Sequence, residues 1–480
     1  MNYGIIVRTI GRIMLIVAVL LLLPMFVSLI YGESLFWVYL VAIGLICAFS
    51  IPAQFFIKNK SKMYAKEGYI IVAGSWIFLS IFGCLPFFIS GYIPSFVDAF
   101  FETVSGFTTT GSSILTEIES LPKSLLFWRS FTHWIGGMGV LVFALAVLPS
   151  RDGSAMHLMR AEAPGPKVGK LVSKMSSTAR ILYAIYLALT VLEFICLFLA
   201  GQPLYDSIVN AFATAGTGGF SVLNNSIGGY NSPAVEYIIS IFMLLFGINF
   251  NLFYFILIKK FSQAFKSEEL RWYLIIIVSA VAIITLNIYH LYGNIEVAFR
   301  NALFQVSSII TTTGFGTADF NAWPTLSQVL LVLIMFVGAC AGSTGGGIKV
   351  SRIIILFKQS LREIKRILNP RNIIAVKMEG KPVSENVLSG VAFFIITYIF
   401  VVATSIILIS IDGFDITTTV TSVIACINNI GPGLGEVGPT GNFSQFSDFS
   451  KIILSINMLI GRLELFPVLI LFSRSTWIKR

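Results

Sequence analysis

Two stretches of this chain carry almost the same residues. One is Ser105-Gly106-Phe107-Thr108-Thr109-Thr110-Gly111, and the other is Ser308-Ile309-Ile310-Thr311-Thr312-Thr313-Gly314. Two looser copies are Ala215-Gly216-Thr217-Gly218-Gly219-Phe220 and Asn428-Asn429-Ile430-Gly431-Pro432. With Gly111, Gly219, Gly314 and Gly431 taken as equivalent, the spacings are 108, 95 and 117 residues. A Thr/Gly segment can stay extended with its carbonyl oxygens aimed at a common axis, because glycine permits backbone angles that other residues resist. A ring of such carbonyls replaces the hydration shell of a potassium ion. The residues that would line it are Thr109, Thr110 and Gly111, then Thr217, Gly218 and Gly219, then Thr312, Thr313 and Gly314, and finally Asn429, Ile430 and Gly431. A Gly/Thr-rich turn used only for packing would explain one copy. It does not explain four at domain-like spacing.

Something must position these segments. Thirteen residues before each glycine lie Asp98, Asp206, Asn301 and Thr418, all good helix N-caps. The repeated unit is therefore predicted to be a capped short helix followed by the extended segment. Such a helix ends at the filter, where its partial negative charge favours a cation.

Composition sets the surroundings. The chain has 480 residues, of which 56% are hydrophobic and 12% charged. Soluble domains are about 25% charged, so this is an integral membrane protein. The net charge of +10 is concentrated in particular loops, which reads as topology rather than nucleic-acid binding. Cys47, Cys84, Cys196, Cys340 and Cys426 form no CxxC pair and sit in apolar surroundings, so they are packing residues. His133, His157 and His290 are far apart and make no HExxH pattern. No nucleophile–base or metal pattern supports an enzyme.

Ten spans are predicted. Ile13–Tyr31 and Leu35–Ile57 form an N-terminal hairpin; the first is long enough to be a retained helix rather than a signal peptide. The others pair around the four loops: Tyr69–Gly91 with Phe131–Pro149, Ile181–Gly201 with Tyr237–Ile258, Trp272–Leu291 with Leu326–Ile348, and Val387–Ile411 with Ile452–Phe472. The expected fold is all-α: four tandem helix–pore loop–helix units around a central pore, plus the hairpin. The divisions are residues 1–66, 67–180, 181–271, 272–386 and 387–480. Basic residues cluster at Lys58, Lys60, Lys62 and Lys66; at Arg151, Arg160, Lys167, Lys170, Lys174 and Arg180; at Lys259, Lys260, Lys266 and Arg271; from Arg352 to Lys381; and at Arg474, Lys479 and Arg480. All fall on one side, which the positive-inside rule makes cytoplasmic, with both termini. Asp98, Glu102, Glu117, Glu119, Asp206, Asp319 and Asp448 then lie on or near the outer face, as cation-concentrating charges or as ordinary cap and loop residues.

The cluster Gly342-Ser343-Thr344-Gly345-Gly346-Gly347-Ile348-Lys349 looks like a nucleotide-binding loop but lacks the Gly-Lys-Ser/Thr ending. Gly433, Gly435 and Gly438 fit GxGxxG but follow a filter segment rather than a strand. Nucleotide binding is not expected. So many glycines at membrane depth break a helix, which is tolerated only in buried or water-lining backbone. The cluster is read as a flexible gate beneath the filter, or as a kink between helix halves. Arg462 lies inside a span, where a charge is costly. It is either a positive barrier below the filter or half of an ion pair with Glu464 or Glu193. Lys349 is a second cation of this region, and Glu193 is an intramembrane acid without an evident role.

These motifs resemble the TrkH/TrkG potassium uptake family, within the superfamily that includes KtrB and plant and fungal relatives. The resemblance rests on FTTTGS at 107–112, HWIGGM at 133–138, GGFS at 218–221, TTTGFG at 311–316, AGSTGGGIK at 341–349, NNIGPGLG at 428–435 and GRLE at 461–464. It spans almost the whole chain, and the N-terminal hairpin favours TrkH/TrkG over KtrB. The resemblance implies K+ as the transported ion, a homodimer with one pore per protomer, the bacterial inner membrane, lipid contact and a cytosolic, nucleotide-binding regulatory subunit of the TrkA type. It also implies a gate of Gly342, Gly345, Gly346, Gly347 and Lys349, with Arg462 opposing ion passage. In the plant relatives serine in the first filter accompanies sodium transport, so Gly111 favours potassium. Segments two and four depart from the Thr-Thr-Thr-Gly pattern, which leaves backbone rather than side-chain coordination there. The alternative function is a coupled secondary transporter moving K+ with H+ or Na+. It would call for inverted repeats and midplane acids, of which only Glu193 is available.

Overall fold

A helix crosses a bilayer only if about 20 consecutive residues stay apolar and unbroken. In the computed structural model, which describes residues 2–55, 64–139, 175–372 and 374–477, six helices pass that test. They are Tyr3–Ile30, Phe36–Phe55, Lys66–Ile89, Ser177–Leu199, Glu268–Tyr292 and Glu385–Asp412. The first two are the hairpin, turned at Gly32 with φ +66°. The other four are the leading helices of the repeated units. Each unit continues into a short pore helix: Phe96–Phe107, Leu204–Gly216, Ile295–Ile310 and Ile416–Ile427. Lys58, Lys60, Lys62, Arg151, Arg160, Lys167, Lys170, Lys174, His157, Lys479 and Arg480 lie outside the described residues, as does most of the span expected over Phe131–Pro149.

The second helix of every unit departs from the expectation of a continuous span. In unit one, Lys123–Gly137 ends at the Gly136-Gly137 pair. In unit two, Pro233–Phe246 and Phe250–Leu257 meet at 92°. In unit three, Thr325–Val337 gives way to a loop that ends at Val350. In unit four, Asp448–Arg462 stops before Phe466–Phe472, with Glu464 and Leu465 both at positive φ. The physical cause is visible at two breaks. A Cβ on Gly136 would lie 1.8 Å from the Phe107 carbonyl oxygen, and one on Gly461 would lie 1.9 Å from that of Ile427. Phe107 and Ile427 are the last residues of pore helices one and four, so glycine lets the broken helix touch the pore-helix end.

The expected N-caps sit too far into their helices. Ser95, Asn294 and Asp415 cap pore helices one, three and four through side-chain oxygens, and Pro203 precedes the second. Asp98, Asp206 and Thr418 instead occupy the first turn, and Asn301 lies mid-helix. The first turn still welcomes Asp98 and Asp206 because carboxylates oppose the positive helix end there. Among the described residues the only strands are Lys377–Met378 and Lys381–Pro382, paired antiparallel in a small hairpin.

Candidate functional site

All four pore helices end identically. The backbone N–H of Thr109, Thr217, Thr312 and Asn429 each bonds to the carbonyl three residues back, at 2.9–3.3 Å. The next N–H, of Thr110, Gly218, Thr313 and Ile430, each bonds five residues back, at 2.8–3.0 Å. This is the Schellman C-cap, which needs a left-handed residue at its first position. Thr109, Thr217, Thr312 and Asn429 supply it, with φ of +55° to +58°. Two residues on, Gly111, Gly219, Gly314 and Gly431 turn positive again, at +80° to +99°. Helix end, left-handed residue and glycine thus recur four times, in the register that the sequence alignment of these segments requires.

The four segments close into a ring. A Cβ on Gly111 would lie 2.1 Å from the Gly218 carbonyl oxygen, and on Gly219, 2.2 Å from that of Thr313. On Gly314 it would lie 2.0 Å from the Ile430 oxygen, and on Gly431, 2.9 Å from that of Thr110. Each glycine therefore abuts the penultimate carbonyl of the next segment, and the fourth returns to the first. All four glycines line one cavity of about 130 Å³ above the ring.

Hydroxyl directions follow from the bonding. Thr108 Oγ1 donates to the Val104 carbonyl at 2.7 Å, so Thr110 donates to Thr108, at 2.8 Å. Thr311 and Thr313 repeat this, at 2.6 and 2.7 Å. Asn429 Nδ2 donates to Thr110 Oγ1 at 2.9 Å, tying segment four to segment one. His133 joins segment two: Phe220 N–H donates to its Nε2 at 3.3 Å, which leaves the proton on Nδ1 to donate to the Gly106 carbonyl at 2.7 Å. The ring is thus held by a neutral histidine, with no metal-ligating cluster among the described residues.

Beneath the ring lies the glycine loop. Gly346 N–H donates to Thr312 Oγ1 at 2.6 Å. A Cβ on Gly345 would be 2.8 Å from the Thr311 carbonyl oxygen, and on Gly346, 2.6 Å from that of Asn428. Gly342 and Gly347 adopt φ of +77° and +75°, as does Gly338 at +71°. Cys340 N–H and Phe250 N–H tie the loop to the break in unit two, through the Gly247 and Gly342 carbonyls, both at 3.0 Å. Lys349 is buried and its Nζ donates back to the Gly345 carbonyl. Glu269, at the start of helix Glu268–Tyr292, accepts from Ala341 N–H at 2.8 Å and Ser351 N–H at 3.1 Å, one on each shoulder of the loop.

Arg462 completes the assembly. Its Nη1 donates to Thr344 O at 2.8 Å and to Thr109 Oγ1 at 3.2 Å. Its Nη2 donates to Gly136 O at 2.6 Å and Gly137 O at 2.5 Å. One guanidinium thus joins the first segment of the ring, the glycine loop and the helix breaks of units one and four. Glu464, considered as its partner, is held by Arg352 at 2.6 Å. Glu193 is fully buried, and neither carboxyl oxygen has a hydrogen-bond partner among the described residues.

Of the charges expected on or near the outer face, one is buried and two are half-buried with partners. Glu102 is buried against Arg129 at 2.6 Å, and Asp98 pairs with Lys451 at 2.6 Å. Asp206 accepts from the Tyr230 hydroxyl at 3.0 Å, whereas Glu117, Glu119, Asp319 and Asp448 are exposed. Within the basic segment Arg352–Lys381, Arg352 is buried, Lys358 pairs with Glu268 and Arg362 pairs with Glu385, leaving Lys365, Arg366, Arg371, Lys377 and Lys381 outward. Arg129 and Lys451 escaped the sequence reading because each lies beside a predicted span, where a cation reads as a flank.

The chain shares this architecture with known proteins. A TrkH family model, described as a cation transport protein, matches residues 39–477. The chain belongs to the TrkH family. It is 37% identical over 486 residues to the Trk system potassium uptake protein TrkH of Escherichia coli K12, covering 99% of this chain and all of that protein. It is 36% identical to TrkG of the same organism, over 95% of this chain and 94% of that protein. The crystal structure of the potassium transporter TrkH from Vibrio parahaemolyticus superposes over the full length of both chains, with a TM-score of 0.89 and 34% identity. The TrkH-family fold, a multi-pass membrane protein of four tandem pore-loop units and a hairpin, is thus established for this chain. The family is one of transporters rather than enzymes.

Proposed function

We propose that this chain takes up potassium through the ring formed by Thr109–Gly111, Thr217–Gly219, Thr312–Gly314 and Asn429–Gly431. The observation that carries this reading is cyclic closure, in which each glycine seats the carbonyl of the next segment. Four pore-helix C-termini converge on that ring, and their partial negative charge favours a cation. Backbone carbonyls substitute for ion hydration whatever the side chains are, so the degenerate second and fourth segments do not spoil the site. Potassium is then cargo, and the chain binds no nucleotide.

In this reading the loop around Gly342, Gly345, Gly346 and Gly347, with Lys349 and Arg462, is the gate. Arg462 places a positive charge directly under Thr109, where low dielectric makes its repulsion of a cation strong. Opening requires the loop to leave the Thr312 hydroxyl, the Phe246 carbonyl that accepts from Thr344 Oγ1 at 3.2 Å, and Arg462 together. A cytosolic TrkA-like, nucleotide-binding subunit would supply that force, with Lys365, Arg366 and Arg371 turned toward it. The same reading places both termini in the cytoplasm, the chain in the bacterial inner membrane and two copies in the assembly.

Glu193 favours a second reading, K+ uptake coupled to H+ or Na+, because a fully buried carboxyl with no ion-pair partner among the described residues, only the Thr214 side chain beside it, is suited to taking up a cation. Purified protein in liposomes separates the two. Potassium, rubidium, sodium and proton fluxes are compared with and without an imposed proton gradient. The channel-like reading predicts potassium and rubidium flux down their own gradients without proton movement. Potassium accumulation driven by the proton gradient would replace it with coupled transport, and absence of potassium flux even when part of Gly342–Gly347 is deleted would overturn both.

A further inference from the structure

We propose that Arg129 and Glu102 are specificity-determining positioning residues that set the outer width of the ring between its first and second segments. The proposal rests on the filter reading above. Glu102 lies within the first pore helix and Arg129 on the first unit's second helix; their side chains are 0% and 2% exposed. Glu102 Oε1 accepts from Arg129 Nε at 2.6 Å and from Ser113 Oγ at 3.0 Å, and its Oε2 accepts from Ile114 N–H at 3.0 Å. Ser113 and Ile114 lie two and three residues beyond Gly111, on the stretch that leaves the ring. On its other side Arg129 Nη1 donates to the Ser221 carbonyl at 3.1 Å, and the guanidinium stacks on Phe220 at 3.6 Å. Phe220 and Ser221 follow Gly219. Two charged side chains therefore form one strut from the exit of segment one to the exit of segment two, and Arg129 lines the mouth cavity itself.

The repeat explains why this strut is a separate device. In unit three Gln305, equivalent to Glu102, ties its pore helix to Thr317 and Ala318, at 3.4 and 3.3 Å. In unit four Thr421 ties its pore helix to Leu434, at 2.9 and 3.1 Å. Each pore helix of these units thus grips the stretch that leaves the ring, three or four residues beyond the filter glycine. Only in unit one, among these three, is the grip ionic and extended across to the next unit. Exit regions at the other junctions meet through neutral groups: Gly228 with Gly316, Asn321 with Gly435, and Phe443 with Ser113. Buried ion pairs add little to stability, but a planar guanidinium with fixed donors holds its neighbours at one separation. Carbonyl-ring selectivity depends on the geometry and field of the coordinating groups, so a strut at this junction bears on ion choice. Its charges also cancel each other, so the mouth carries no net barrier from Arg129.

Arg129→Lys keeps the charge but loses the fork that reaches Glu102 and Ser221 at once. Ser113→Ala removes one hydroxyl from the same strut and is the milder variant. Each is purified and reconstituted, and the potassium-over-sodium preference is read from flux competition, beside thermal unfolding of the same preparation. Arg129→Lys is expected to lower that preference about tenfold, equivalent to about 1.4 kcal/mol, with Ser113→Ala shifting it less in the same direction. A residue that merely supports folding would change the yield and the unfolding temperature but not the ratio. If Arg129→Lys does not fold, Ser113→Ala decides. An unchanged ratio in the folded variants, while Gly111→Ala alters it, overturns the strut and leaves the filter standing. An unchanged ratio in Gly111→Ala overturns the filter reading, and the strut with it.

Discussion

Arg462 and Thr344 are joined by a 2.8 Å hydrogen bond from the guanidinium to the loop carbonyl. The same side chain holds Thr109 in the first segment, so the glycine loop and the ring share one donor. Deleting part of Gly342–Gly347 is expected to raise potassium flux in liposomes lacking a regulatory subunit. Arg462→Ala is expected to act in the same direction. If the two form one barrier, the double variant falls short of the product of the single effects, by about 0.5–3 kcal/mol of coupling. Multiplicative effects would separate the arginine from the gate. A well-folded Arg462→Ala protein with unchanged or reduced flux would make that residue a scaffold for the Gly136 and Gly137 carbonyls.

The ring also ranks its glycines. The hypothetical Cβ lies 2.0–2.2 Å from a neighbouring carbonyl oxygen at Gly314, Gly111 and Gly219, but 2.9 Å at Gly431. Alanine at any of them adds a left-handed penalty of about 1–2 kcal/mol. Displacement of the carbonyl is an extra cost at the first three. Potassium uptake is therefore expected to fall steeply in Gly314→Ala, Gly111→Ala and Gly219→Ala, and only slightly in Gly431→Ala. Uptake assays on the four variants check the order, and Gly111→Ser should favour sodium relative to the parent. Equal effects at all four positions would show that the clash does not set the outcome.

Glu269 is the anchor of the loop's two shoulders, through Ala341 and Ser351. Hydrogen bonds to a charged acceptor are worth about 1.5–3 kcal/mol. Glu269→Gln retains an acceptor but loses the charge, so the loop should release more readily. Hydrogen–deuterium exchange over 338–351 is expected to quicken, by roughly tenfold or more for a loss of that size, with the filter segments unchanged. Slower or unaltered exchange in the loop would remove Glu269 from its support.

Asp415 is one source of acid sensitivity outside the membrane-spanning helices. Thr418 and Thr417 donate to the exposed Asp415 cap, and these bonds hold its carboxyl below the ordinary value of 3.8. A depressed carboxylate stabilises the fold fully above its unfolded pKa and loses that contribution as pH falls through the lower folded value. Asp415→Ala should cost about 1 kcal/mol at neutral pH, and the difference from the parent should shrink below about pH 4. Unfolding curves across that range measure it. A difference independent of pH would mean that the cap does not act through its charge.

The fourfold segment repeat was legible in the sequence, because close approaches and positive φ demand glycine at 111, 219, 314 and 431; the left-handed turns at Thr109, Thr217 and Thr312 were not, since β-branched residues ordinarily avoid that region. The hairpin and the leading helices were legible too, being long and unbroken. The breaks in the second helices were not. Hydropathy runs straight through Phe246-Gly247-Ile248 and is interrupted near Gly461 only by Arg462, so the nearness of a pore-helix end is what shows why the helix stops. The caps were misplaced by the same logic, since Asp98 in a first turn and Ser95 as a cap look alike in sequence. Arg129, Lys451 and Glu269 were missed because their partners lie far along the chain.

The central claim is that the ring holds the ion. Its most direct test is the anomalous scattering of rubidium, or of thallium, in crystals of the protein grown with that ion in place of potassium. The account predicts a peak on the axis framed by the Thr110, Gly218, Thr313 and Ile430 carbonyls, weakened in Gly111→Ser. An empty ring, with the peak at Glu193 or elsewhere off that axis, would contradict it.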